Sequence, residues 1–240
     1  MIKVFTKTFL VIFFLLISFI SYLSLVGFET KRFNNQIKQS LKKIDSKIDI
    51  KLNDVKIVLD LFNLNINAKT LGPIISYDNQ SIDVELIKSD LSLLNLLNEE
   101  FSLSNLVIST KSVKLRDAIS FIRAINKENK TKILILENFV KKGFLIADIN
   151  LNFDDQGKVK NDFKITGLVK EGSINLLNKK KINKIDFIFE TENKNINISD
   201  LKFSFENVNF TSKKIKFLNK NNFIKIQREI KNDQVNLSMK

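Results

Sequence analysis

Hydrophobic positions along the chain fall into three regimes. Residues 9–28 read FLVIFFLLISFISYLSLVGF, twenty residues without a charge, which at about 1.5 Å per residue covers the roughly 30 Å hydrocarbon core of a bilayer. They predict a single transmembrane helix after a short tail, residues 1–8. A cleavable signal peptide with Lys3 and Lys7 as its basic region is the competing assignment. Its apolar stretch runs about 7–15 residues and ends in small residues, whereas Ser24, Leu25, Val26 and Gly27 make a poor cleavage site.

The second regime covers residues 29–47. Phe33, Ile37, Leu41, Ile44 and Ile48 recur at spacings of three and four, an apolar stripe on one side of a helix. Lys31, Arg32, Lys38, Lys42, Lys43 and Lys47 occupy the other positions. Lys31, Arg32, Lys38, Lys42 and Lys43 are therefore candidates for contact with anionic headgroups beside the span. The same helix can instead pack its stripe against the first strands and leave its lysines in water.

From residue 48 the period falls to two. Val55, Ile57, Leu59 and Leu61 alternate with polar residues, and so do Phe62, Leu64, Ile66 and Ala68. The apolar phase slips by one between Leu61 and Phe62, which demands a bulge or a turn there. Gly72-Pro73 punctuates, and Ile82, Val84 and Leu86 alternate again. Residues 91–97 predict a chain reversal. Phe101, Leu103, Leu106 and Ile108, then Val113 and Leu115, resume the strands. Asp117 predicts the cap of a short helix near 117–126 with Ile119, Ile122 and Ile125 on one face, and NKENKTK, residues 126–132, reads as a linker that could subdivide the domain. Strands are expected over 133–139 and 144–153, and over 159–169 as the hairpin partner across Asp154-Asp155-Gln156-Gly157. Further strands are expected over 182–189, 196–210, 215–218, 223–230 and 235–239. The fold class is mainly β, with residues 48–240 as an antiparallel sheet domain.

Composition narrows the function. The chain has 240 residues, His 0 and Cys 0, which removes imidazole acid–base catalysis, Ser-His-Asp and Cys-His nucleophiles, the usual zinc sites and disulfides. No cofactor motif is present and a non-enzymatic role is expected. Glu190 and Glu192 lie two apart and would share a strand face, but solvated positions explain them better than a glycosidase pair. Asp154-Asp155 lacks the spacing of a calcium loop, and Gly72 and Gly167 have no phosphate-binding motif around them. A net charge of +13 admits anionic partners. The lysines are dispersed along strands, without a basic face carrying stacking aromatics, so nucleic acid is not an expected partner.

The wording DVKIVLDLFNLNINAKTLGPIISYDNQSIDVELIKSDLSLLNLLNEEFSLSNLVISTKSVKL, after one span and a helix, resembles the opening of the AsmA-like family, the group that includes AsmA, TamB and YhdP. The shared pattern is a strand pair near residues 55–68, a strand near 82–86 leading into Ser92-Leu93-Leu94-Asn95-Leu96-Leu97, and a strand near 106–109, within a resemblance covering roughly residues 9–125. It implies an antiparallel sheet curled into an open groove with an apolar interior. It also implies an anchor in the bacterial inner membrane, a periplasmic domain, and a role in phospholipid movement toward the outer membrane and in envelope maintenance. The lysines after the span, by the positive-inside rule alone, would put the domain in the cytoplasm; the resemblance and the signal-anchor form outweigh that count.

Twenty-one Phe with two Tyr and no Trp supply an apolar lining without polar tips. The expected acyl-chain-binding residues are Ile149, Leu151, Phe153, Phe163, Ile165, Phe187, Phe189, Phe203 and Phe205. About twelve strands at roughly 4.8 Å each extend about 60 Å, too short to bridge a periplasm alone. The alternative is a membrane-tethered assembly module with a filled core that binds other envelope proteins through its C-terminal sheet edge.

Overall fold

The computed structural model describes residues 2–32, 34–93, 103–126, 128–154, 158–176, 180–192, 195–220, 223–228 and 230–232. Helix α1 (Ile2–Leu25) contains the segment Val4–Leu25, long and apolar enough to cross a membrane, and leaves nearly all its large apolar side chains exposed. It takes in Lys3 and Lys7 and stops short of Phe28. Gly27 adopts φ +71° and closes the helix, with the Val26 and Gly27 N–H groups donating to the Tyr22 carbonyl at 2.9 and 3.1 Å. Phe28 already belongs to strand β1 (Phe28–Thr30).

Helix α2 (Asn34–Ile44) follows. Ile37 and Leu41 are half-buried, Ile48 falls in β2 (Ile48–Lys51), and Phe33 and the side chain of Ile44 lie outside the described residues. The remaining elements are β3 (Val55–Asp60), β4 (Asn65–Leu71), β5 (Ile74–Tyr77), β6 (Gln80–Ser92), β7 (Leu103–Thr110), β8 (Val113–Lys114), α3 (Leu115–Ile125), α4 (Lys130–Phe139), β9 (Val140–Asn152), β10 (Lys164–Asn175), β11 (Lys181–Glu192), β12 (Asn195–Phe205), β13 (Val208–Lys220), β14 (Phe223–Arg228) and β15 (Lys231–Asn232). They build one large, unclosed antiparallel sheet whose main path runs β1-β3-β4-β6-β7-β9-β10-β11-β12-β13-β14, with β2 and β5 as a side branch on β6. Where the connection is a short turn, as at residues 61–64, 78–79 and 206–207, the two flanking strands pair directly.

The phase slip after Leu61 resolves as a turn. The Asp60 carboxylate accepts from the Phe62 and Asn63 N–H groups, both at 3.1 Å, and from Asn63 Nδ2 at 2.8 Å. The Asn63 side-chain bond, then the backbone N–H groups, hold the Asp60 carboxyl below its ordinary value. At the opposite end Glu206 and Asn207, at φ 49° and 66°, form a two-residue turn, so residues 196–210 are two strands and not one.

Other expectations are corrected. Residues 133–139 belong to helix α4: Ile133, Leu134, Ile135 and Leu136 offer no alternation of apolar and polar faces, and Arg123 Nε meets Glu137 Oε2 at 2.7 Å, tying α4 to α3. The expected linker therefore partly becomes helix. Asp117 lies in the first turn of α3 and Lys114 is the cap; Ala118 and Ile119 are buried, while Ile122 and Ile125 are half exposed. Leu115 opens α3 and does not extend a strand. The partner of β9 begins at Lys164, Val159 touching it only through an isolated bridge to Phe153. Hairpin β5–β6 adds a strand the alternation left unassigned. Phe101, most of residues 91–97, Gln156 and Gly157, and residues 235–239 lie outside the described residues.

Candidate functional site

Directly opposed residues of an antiparallel ladder carry their side chains on one face. One such row crosses all eleven strands of the main path: Thr30, Val55, Thr70, Ile87, Ile108, Ile149, Ile165, Thr191, Ile196, Phe217 and Ile226. Its only polar members are threonines. A parallel row, Phe28, Ile57, Ala68, Ser89, Leu106 and Leu151, begins at the residue next to Gly27. A third, Ala147, Gly167, Phe189, Ile198 and Ile215, runs through the C-terminal strands.

The nine expected lining residues are all half-buried. Ile149 pairs with Ile165 and Leu151 with Leu106, and Phe187 and Phe189 follow at the same phase of β11 through Val169 and Gly167. Asp186 pairs with Lys202 on the other face, which puts Phe203 and Phe205 on the apolar one; the Phe203 ring stacks on Phe210 at 5.0 Å. Phe153 and Phe163 lie beside this set in the β9–β10 connection, outside the continuous ladder. The N-terminal half of the face, Val55, Ile87 and Ile108 among it, belongs to the same surface. Its signal was the same alternation in β3, β6 and β7.

What lies over this face differs along the sheet. Leu115 of α3 sits above Gly143, where a Cβ would approach its Cδ1 to 2.5 Å, and α3 packs on β6 and β9. Val84, Val140 and Ala147 are buried in that region. Beyond β9, every sizeable contact of β10 to β13 among the described residues is with neighbouring strands. At Gly167 the missing Cβ makes room for Phe189, whose Cζ would lie 2.5 Å from it.

Three adjacent strands carry a residue at positive φ beside a register shift: Glu171 in β10 (φ 54°), Lys184 in β11 (φ 54°) and Asp200 in β12 (φ 51°). These bulges add local bend and twist. The Glu171 N–H donates to Asp186 Oδ1 at 2.8 Å, stitching two of them together.

The reverse face is mostly polar. Lys170 and Asp186 lie 3.6 Å apart, and Lys164 Nζ meets Glu190 Oε1 at 2.5 Å. That hydrogen bond raises the Lys164 pKa and gives Glu190 a structural partner in place of Glu192. Phe144, Ile146 and Ile188 interrupt this face and are exposed. Of the basic residues near α2, Lys38 pairs with Asp49 at 2.9 Å and Lys31 approaches Asp54 at 3.8 Å, while Arg32 and Lys42 are exposed. The Lys38 hydrogen bond lowers the Asp49 pKa against the opposing effect of burial. The side chain of Lys43 lies outside the described residues. Among the described residues no cluster of carboxylates is arranged to hold a metal ion.

No family model, curated protein or solved structure matches this chain.

Proposed function

We propose that the chain is a membrane-anchored, AsmA-like lipid-handling protein of the bacterial envelope. In this reading α1 spans the inner membrane, the sheet occupies the periplasm, and its apolar face receives phospholipid acyl chains for outer-membrane maintenance. The observation that carries the proposal is the row of Val, Ile, Phe and Thr crossing eleven strands, flanked by the row that starts at Phe28 beside the apolar helix, with only neighbouring strands in sizeable contact with β10 to β13 among the described residues. A surface of that kind in an aqueous compartment calls for an apolar partner. Branched aliphatics and Phe without tyrosine hydroxyls suit hydrocarbon.

The test uses the full chain reconstituted in phospholipid vesicles containing a lipid with a photoactivatable acyl chain, followed by peptide mapping. Labelling is expected on β9 to β12 as well as on α1. Phe187→Asp should abolish the β-sheet label with circular dichroism unchanged, and Ile188→Asp, on the reverse face, should leave it intact. Label confined to α1 in the wild type sinks the proposal and favours pairing with a protein through a sheet edge.

A further inference from the structure

The turn between β3 and β4 exposes its apolar side chains: Phe62 is 100% exposed, with Leu61 at 42% and Leu64 at 45%. Leu64 also holds φ 51°, a conformation unfavourable for a bulky residue. An Asn or Gly there would relieve the backbone, so the leucine is retained at a cost. Strain at an exposed apolar tip points to a use for the side chain.

The register places this tip beside α1. Phe28 opposes Ile57 and Thr30 opposes Val55, so the chain preceding Phe28 runs along β3 toward Asp60 and the turn. Gly27 lies against the Ile57 carbonyl and the Val58 side chain, and α1 packs on β3. Ile20, Leu23 and Ser24, at helical spacing, are the described α1 side chains that are half-buried. Ile20 is five residues before Leu25, about 7.5 Å inside the end of the helix. Two turns at the far end of the sheet, Asp78-Asn79 and Glu206-Asn207, are polar, and Leu176 is 39% exposed there.

We infer that residues 61–64 form a second membrane contact, with Leu61, Phe62 and Leu64 seated in the bilayer interface beside α1. The inference rests on the reading of α1 as a membrane span. The contact fixes the sheet's first edge at the lipid surface, because Asp60 and Asn63 hold the turn rigid while the three apolar side chains enter the headgroup–acyl boundary. It brings the beginning of the apolar rows to the hydrocarbon.

The chain contains no Trp, so a single introduced indole reports its own surroundings. Phe62→Trp, Phe13→Trp in mid-α1 and Leu176→Trp at the opposite end of the sheet are each placed in the full chain in phosphatidylcholine vesicles, with and without acyl-chain-brominated lipid. Phe62→Trp should shift to the blue and lose most of its emission to bromine, while Leu176→Trp keeps its own. Phe13→Trp decides the span separately: quenching there upholds it and the absence of quenching removes it. Emission from Phe62→Trp that bromine leaves untouched overturns the inference, whether red-shifted as in water or blue-shifted as in a protein pocket. Equal quenching at Leu176→Trp overturns it too, since the contact would then not be specific to the tip.

Discussion

Lys184 and Glu171 are side chains held where glycine or asparagine is the easier occupant. Left-handed backbone costs an L-residue roughly 1–2 kcal/mol, and glycine returns part of that gain through its greater freedom in the unfolded chain. Lys184→Gly should therefore raise stability by about 0.5–1 kcal/mol, read as a higher urea midpoint with unchanged slope. Lys184→Val should lower it by about 1–2 kcal/mol, because a β-branched residue fits that φ worst. Neither position declared itself in the sequence: lysine and glutamate carry no turn chemistry, so bulges at Lys184 and Glu171 are invisible to alternation. Phe62 was half legible. Its phase slip announced a turn, but exposure depends on what surrounds the turn in space.

At the scale of elements, the passage from α1 to β1 is a single joint. Gly27 combines φ +71° with a Cβ position that would overlap the Ile57 carbonyl and lie 2.7 Å from Val58 Cγ2. Gly27→Ala is expected to cost about 2 kcal/mol or more. Gly72→Ala, at φ +65° but with only Asn53 Nδ2 nearby at 3.3 Å, should cost about 1 kcal/mol; chemical denaturation of the two variants measures the difference. The strands were largely readable, because period-two patterns need only local sequence and the register then follows from which face is buried. Helix α4 was not. A continuous run such as Ile133, Leu134, Ile135, Leu136 suits a buried strand or a helix equally, and packing with Arg123 on α3 decides it. The Glu206-Asn207 turn escaped for the opposite reason: apolar and polar residues keep alternating through it.

Over the whole molecule, burial is uneven. Val84, Thr110 and Ala147 are buried, the Ala147 N–H donates to Thr110 Oγ1 at 2.9 Å, and α3 packs on β6 and β9. Strands β13 and β14 make sizeable contacts only with neighbouring strands among the described residues. Amide hydrogen exchange should accordingly be slowest in β6, β7 and β9 and fastest in β14, with β11 and β12 between. Uniform protection across the sheet would show that something further covers the C-terminal strands. The apolar face was legible in outline from sequence, since seven of the nine residues expected there share one side of the ladder, Phe153 and Phe163 lying in the β9–β10 connection. Its continuation through β3 to β7 became visible only when register joined strands that are far apart in the chain.

The main path also has a consequence for ancestry and reach. Each strand leans on its two neighbours, so the domain grows in one dimension, as repeat arrays do. Eleven strands at about 4.8 Å set a track of about 48 Å. Duplication of one hairpin would lengthen it by roughly 10 Å without disturbing the packing elsewhere. Such a sheet is a ruler whose gradations are hairpins, and descendants of one short ancestor could span very different gaps simply by counting differently.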